Sequence, residues 1–236
     1  MSEIEEARLP VRPRPLPAPG TVACWLMDVA GLALADRSAA TGRRARLQAL
    51  RLRRQFLLRL ILGAYLGRPG KEIALVREPS GKPALTAPAS GGLSFSVSHS
   101  GSWLAIAVAS RLPVGVDIET DRRLDRALAL SRRYFSEPEA EHLAGLGEPE
   151  RSQRFRVLWT AREACIKAMG GSLAASLASM AFDPASGKVL TLPKDWPAPT
   201  QWSVLGSDLP VPLTLRVAAP CPGLRLETIR LACAPG

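Results

Sequence analysis

Val114-Gly115-Val116-Asp117-Ile118-Glu119 is the stretch on which the reading of this chain turns. Val114, Val116 and Ile118 alternate with Gly115, Asp117 and Glu119, the period of a β-strand, so the aliphatic side chains share one face and both carboxylates share the other. Asp117 and Glu119 are therefore neighbours on a strand that is otherwise apolar. Two carboxylates held close together repel and lose hydration unless a cation sits between them, and a hard divalent ion such as Mg²⁺ suits oxygen ligands. An ordinary strand with a solvated acidic face has the same pattern, and one D-x-E does not separate the two readings.

Upstream, Leu93, Phe95 and Val97 alternate with Ser94, Ser96 and Ser98, which gives a strand with one apolar and one hydroxyl-bearing face, ending at His99. Trp103 to Ser110 is apolar enough for a central strand, and Arg111-Leu112-Pro113 turns the chain into the carboxylate strand, so 93–119 reads as a three-stranded meander. Downstream, Trp159-Thr160-Ala161-Arg162-Glu163-Ala164-Cys165-Ile166-Lys167 continues a helical pattern carried by Phe155, Leu158, Trp159 and Ile166 and stopped by Gly170-Gly171. Glu163 and Lys167 are four apart and share one helix face. There they make a surface ion pair or, alongside Asp117 and Glu119, a place where Glu163 reaches a metal or a substrate hydroxyl and Lys167 meets a phosphate.

Before these elements, Met1 to Gly20 carries Pro10, Pro13, Pro15, Pro17 and Pro19, whose missing amide donors work against helix and sheet, so 1–20 is expected to be a flexible tail. Thr21 to Val29 reads as a first strand. The region 36–67 reads as a long helix with an apolar stripe of Leu47, Leu50, Phe56, Leu57, Leu60, Ile61 and Ala64. Its other faces carry Arg43, Arg44, Arg46, Arg51, Arg53, Arg54 and Arg59 with no acid to balance them. Much of the formal net charge of +10 originates here, which favours a polyanionic ligand over a merely solvated face. Nucleic acid fits poorly: there is no zinc-finger spacing, no aromatic RNA-binding motif, and aromatic residues make up 5% of the chain.

A short strand at 73–77 leads to a turn, Glu78-Pro79-Ser80-Gly81-Lys82-Pro83, that restrains Lys82 between glycine and proline. After the carboxylate strand come helical segments at 124–134 and 138–146, the second begun by Ser136-Glu137-Pro138-Glu139. Short strands are expected at 202–205, 213–218 and 226–232. No apolar run is long enough to span a bilayer and no basic start precedes an apolar stretch, so a soluble cytoplasmic protein is expected. Four cysteines, Cys24, Cys165, Cys221 and Cys233, have no metal-ligand spacing and are expected as free thiols.

Four motifs stand in order along the chain: Gly81-Lys82-Pro83, Ser96-Val97-Ser98-His99-Ser100, Gly115-Val116-Asp117-Ile118-Glu119, and Trp159-Thr160-Ala161-Arg162-Glu163 through Lys167. Together they resemble the 4′-phosphopantetheinyl transferase family, of the two-subdomain surfactin-synthetase-activating type, over the region from Ala23 to the neighbourhood of residue 190. The resemblance implies an α+β fold of two similar subdomains in tandem, 21–113 and 114–236, related by pseudo-two-fold symmetry with the active site in the cleft between them. It implies transfer of 4′-phosphopantetheine from coenzyme A to a serine of an apo acyl or peptidyl carrier protein, with release of 3′,5′-ADP, by a monomer.

In that reading Asp117, Glu119 and Glu163 hold Mg²⁺, Glu163 is the base for the serine hydroxyl, and Lys167 stabilises the departing phosphate. Lys82, Ser98, His99 and arginines of the long helix, with Arg43 and Arg54 as the candidates, hold coenzyme A. Where family members commonly show lysine before the helix glutamate this chain has Arg162, and with the charge kept little consequence is expected. Two other readings stay open. A different Mg²⁺-dependent phosphoryl or nucleotidyl transferase would keep the carboxylates without needing Ser98-His99 and Gly81-Lys82-Pro83. A non-catalytic basic module binding acidic carrier proteins or nucleic acid would have no use for Asp117 and Glu119.

Overall fold

The computed structural model describes residues 4–32, 42–78, 81–86, 91–120, 126–171, 176–207 and 209–232. Its elements run β1 (Glu5–Arg8), β2 (Thr21–Asp28), α1 (Arg43–Leu66), β3 (Leu75–Arg77), β4 (Pro83–Leu85), β5 (Leu93–Ser100), β6 (Trp103–Ser110) and β7 (Gly115–Thr120). Then come α2 (Ala127–Tyr134), α3 (Glu137–Gly145), α4 (Glu150–Met169), β8 (Ala181–Phe182), β9 (Val189–Thr191), β10 (Ser203–Leu205), β11 (Leu213–Ala219) and β12 (Arg225–Ala232). The fold is α+β, as expected.

β2 is apolar along its whole length because both of its faces are covered. It lies third in a five-stranded sheet of order β1-β12-β2-β6-β5. Ala23, Trp25 and Met27 face a core closed by Leu57, Leu58, Ile61, Leu62 and Tyr65 of α1. Val22, Cys24 and Leu26, with Ala105, Ala107 and Ala109 of β6, face a second core. That core is closed by Val116 and Ile118 of β7 and by Leu215 and Val217 of β11, so the alternation read in the carboxylate strand is the one observed. β7 is the edge of a three-stranded sheet of order β10-β11-β7, whose outer side is covered by α4. The layers are thus helix, sheet, sheet, helix, each sheet burying both sides.

Four expectations change. Residues 4–20 are not a free tail: β1 pairs in parallel with β12, the Arg14 N–H donates to the Ala64 carbonyl at 3.0 Å, and Ala7, Leu9, Val11 and Leu16 pack on the first core. The alternating prolines remove donors only at their own positions, which an edge segment tolerates, and they leave the apolar side chains between them to be buried. β12, expected in the C-terminal half, lies between β1 and β2 in the first sheet, so a division at 113/114 does not contain the end of the chain. The meander also stops at two strands, since β5 and β6 pair but β7 leaves them to pair with β11 from Gly115↔Ala218 to Leu213↔Thr120. Finally, the sheet covers only the C-terminal part of α1, so Leu47 and Phe56 of the expected stripe remain 58% and 53% exposed.

Residues 36–41 of the expected helix, 121–125 and Cys233 lie outside the described residues. Cys24, Cys165 and Cys221 are free thiols. Among the described residues no helix is long and apolar enough to cross a membrane.

Candidate active site

The site lies where the outer end of β7 meets the last turns of α4. Asp117 points from β7 toward α4 and is 3% exposed, while Lys167 reaches down from the helix. Lys167 Nζ is 2.6 Å from Asp117 Oδ1, 3.1 Å from Ser98 Oγ and 3.7 Å from Glu163 Oε2. Ser98 on β5 donates its hydroxyl proton to Asp117 Oδ1 at 2.7 Å, and Ser100 donates to Glu119 Oε2 at 2.8 Å. The second carboxylate oxygen of Asp117 is buried with no hydrogen-bond partner. Asp117, Ser98 and the helix pair Glu163 and Lys167, from three separate stretches of the sequence, are brought together in one cluster.

Burial, and then the charge of Asp117, push the Glu163 carboxyl up to about 7, against the pull of Lys167 and a hydrogen bond from the Trp159 side chain. A carboxyl poised there can hold or release a proton near neutrality. Among the described residues no group of three His, Cys, Asp or Glu side chains is arranged to hold a metal ion. The ammonium of Lys167 lies between the carboxylates of Asp117 and Glu163, and Ser100 engages Glu119.

Lys82 comes from the turn before β4. Its Nζ donates to the Lys167 carbonyl at 2.7 Å and lies 3.5 Å from the Val114 carbonyl, so it binds the last turn of α4 to the start of β7, and burial lowers its pKa. Beside it is a cavity of about 250 Å³ lined by Gly81, Lys82, Pro83, Ser96, Val97, Lys167, Gly170 and Gly171. The Gly81-Lys82-Pro83 turn, the serine strand and the end of α4 thus share one opening.

His99 is exposed and points to the opposite side of β5 from Ser98, as strand alternation requires. There it neighbours Arg54 of α1, whose guanidinium donates to the Gly101 carbonyl and whose Nε is buried without a partner. Burial and the Arg54 charge lower the His99 pKa. β5 is the edge of its sheet, so His99 and Arg54 on one side and Ser98 and Asp117 on the other lie around the same edge. Arg43 stands exposed at the start of α1, roughly 16 Å along the helix axis from Arg54, so the structure separates the two candidate arginines.

Arg162 does not face this cluster at all. It is fully buried, with one guanidinium nitrogen 2.6 Å and 2.5 Å from the two Glu139 oxygens and its carbon 3.9 Å and 4.8 Å from the Phe135 and Phe182 ring centres. Glu139 also closes a capping box with Ser136 at the start of α3 and accepts the Phe182 amide. The Ser-Glu-Pro-Glu helix start signalled the cap, and nothing in the sequence signalled the buried partner. Ser100 was also missed as a functional residue, although the period-two hydroxyl face of β5 marks it.

A model of the 4′-phosphopantetheinyl transferase superfamily matches residues 113–214, and a model of the 4′-phosphopantetheinyl transferase N-terminal region matches residues 43–111. The chain is 35% identical over 119 residues to the 4′-phosphopantetheinyl transferase HetI of Nostoc sp., covering 50% of each. It is 34% identical over 125 residues to psf-1 of Bacillus pumilus, covering 53% of this chain and 52% of that one. With Sfp of Bacillus subtilis it is 30% identical over 123 residues, 52% and 53% of the two chains. It spans about half the length of the curated relatives it matches. With both halves of the site region matched by models of one family, and with the motif residues gathered at one cluster, the chain belongs to the 4′-phosphopantetheinyl transferase superfamily.

Proposed function

We propose that this chain transfers the 4′-phosphopantetheine group of coenzyme A to a serine hydroxyl of an apo acyl or peptidyl carrier protein. The observation that carries the reading is the cluster of Asp117, Glu163 and Lys167 beside the Lys82 cavity, within the two regions that match the family. In the reaction the serine oxygen forms a bond to the β-phosphorus of coenzyme A. The bond from that phosphorus to the oxygen of 3′,5′-ADP breaks, and the serine proton passes to Glu163. A carboxyl raised to about 7 by burial is a base near neutral pH, and Lys167, one turn away, neutralises the departing phosphate.

The residues present fit Mg²⁺. The donor set is hard carboxylate oxygen, Asp117 has an oxygen that is buried and unpartnered, and Asp117 raises the pKa of Glu163, a repulsion that a divalent ion relieves. Asp117, Glu119 and Glu163 would hold the ion, which when bound neutralises charge on the pyrophosphate. Ser98 has its one proton on Asp117, so we assign the phosphate contacts to His99, Arg54 and Lys82 and leave Arg43 to the outer surface. We read the layers as two α+β units in tandem about a pseudo-two-fold axis, acting as a monomer because one chain supplies the whole cluster. Free thiols suit a reducing cytoplasm.

The test is the intact mass of apo acyl and peptidyl carrier proteins incubated with the protein, coenzyme A and Mg²⁺. A gain of one phosphopantetheine with wild type and none with Asp117→Ala is expected. No gain with any carrier would leave another phosphoryl transferase or a binding module.

A further inference from the structure

β5 and β7 are each the edge of a sheet, and they meet without a backbone ladder. An edge strand presents a row of amides that need partners. Here those partners are hydroxyls: the Val116 N–H donates to Ser96 Oγ at 3.1 Å, Ile118 N–H to Ser98 Oγ at 3.4 Å, and Thr120 N–H to Ser100 Oγ at 3.1 Å. Each serine lies 20 residues before the amide it serves, so the two edges run in one direction and in one register.

A hydroxyl has one proton to give and two lone pairs to receive. A serine that accepts a β7 amide is fixed relative to the β7 backbone, and its proton is then aimed at the side chain next along. Ser98 gives that proton to Asp117 Oδ1 and Ser100 gives it to Glu119 Oε2. Ser98 also accepts from Lys167 Nζ, which fills its capacity. Ser96 makes the amide contact but has no carboxylate beside it.

We propose that Ser98 and Ser100 are positioning residues that set the orientation of Asp117 and Glu119 for a divalent cation, while Ser96 serves the joint between the sheets alone. This rests on the reading of those carboxylates as cation ligands. The three serines are equivalent toward the β7 backbone, but only Ser98 and Ser100 also donate to a carboxylate, and only Ser98 accepts from Lys167, which makes Ser96→Ala the internal control.

The experiment measures Mn²⁺ binding by electron paramagnetic resonance, with Mn²⁺ as probe, together with thermal unfolding, for wild type, Asp117→Ala, Ser96→Ala, Ser98→Ala and Ser100→Ala. Groups that orient a metal ligand change affinity by about ten- to a hundredfold when removed. Ser98→Ala and Ser100→Ala are therefore expected to weaken Mn²⁺ by about tenfold or more, whereas Ser96→Ala lowers the unfolding temperature and keeps wild-type affinity. If the three variants bind Mn²⁺ alike, the serines only join the sheets and the proposal is overturned. If wild type binds no Mn²⁺, or Asp117→Ala binds it as well as wild type does, the cation reading itself fails, and the proposal with it. Should Ser98→Ala not fold, Ser100→Ala, nearer the end of β5, decides the matter alone.

Discussion

Gly115 of β7 and Ala164 of α4 approach so closely that a Cβ on the glycine would stand 1.8 Å from the Ala164 carbonyl oxygen and 2.6 Å from the Ala168 amide nitrogen. This contact is what seats the helix on the sheet. Ala164 and Ala168 face Gly115, so Glu163 and Lys167, one residue earlier in each turn, fall beside Asp117 two residues along the strand. The glycine in the carboxylate stretch is therefore part of the site's geometry.

Gly115→Ala should accordingly be among the most damaging single changes in the chain. The added methyl meets backbone, which cannot rotate away, so a loss of about 4 kcal/mol or more is expected, or failure to fold. Urea unfolding followed by circular dichroism measures it. A midpoint close to wild type would mean that α4 can lift off β7 at little cost.

Lys167 is the positive charge between Asp117 and Glu163. Lys167→Met keeps the stem and removes that charge, leaving the carboxylates to repel, so in EDTA its unfolding temperature should fall below that of wild type. Mg²⁺ then supplies what the lysine supplied. A ligand that binds only the folded state stabilises it, so 10 mM Mg²⁺, roughly the scale needed for weak sites, should raise the melting temperature of Lys167→Met more than that of wild type. Equal shifts would show that the ion does not share the lysine's place.

The alternation of Val114, Val116 and Ile118 with the two acids was legible because period two depends only on the chain's own geometry, and it gave the buried face of β7 correctly. Helix α4 was legible from its apolar spacing and its glycine stop, and the spacing of Glu163 and Lys167 placed both on one of its faces. What the sequence did not disclose depends on contacts between distant segments. The order that puts β12 beside β2, and the partner of β7, are set by sheets far apart in sequence that no local period encodes. Ser98 and Ser100 look like the polar side of an amphipathic strand until β7 is seen beside them, and Arg162 looks like a charge at the site until its burial with Glu139 is seen.

Arg162 and Glu139 form an ion pair with neither side chain exposed. Removing one partner of such a pair leaves the other charge uncompensated, so Glu139→Gln is expected to cost about 3 kcal/mol, more than an exposed pair ever would. The double variant Glu139→Leu with Arg162→Met leaves no orphaned charge and should be the more stable of the two. If the single variant proves no worse than the double, the pair's charge is not what holds α3 to α4.

Deleting residues 1–19 removes β1 and uncovers the part of the first core under Leu9, Val11 and Leu16. It also removes Arg14, whose guanidinium carbon lies 5.0 Å from the centre of the Trp25 ring. With three partly buried aliphatic side chains lost, a destabilisation of about 3 kcal/mol is expected, seen as a lower urea midpoint at an m-value close to wild type. A truncated chain as stable as the full one would return this segment to the status of a tail.

The buried thiols predict how stability changes in alkali. Burial pushes Cys24 from its ordinary value of 9.0 up to about 12, and burial likewise raises Cys165, next to Arg162, whose charge opposes the shift only in part. For a group whose folded pKa is raised, the unfolded chain loses its proton first, so the stabilisation is complete below pH 9 and is lost as pH climbs toward the folded value. Each thiol then steepens the fall by about 1.4 kcal/mol per pH unit between those limits. Tyr65, also raised by burial, falls in the same range and adds to the slope. The thiol contribution is isolated by comparing urea midpoints at pH 8 and pH 10.5 for wild type and for Cys24→Ala with Cys165→Ala. The variant starts from lower stability, because methyl replaces a larger buried group, but loses less of it on going to alkali. Parallel losses in the two proteins would mean that these thiols ionise in the folded state as readily as in the unfolded one, against their complete burial.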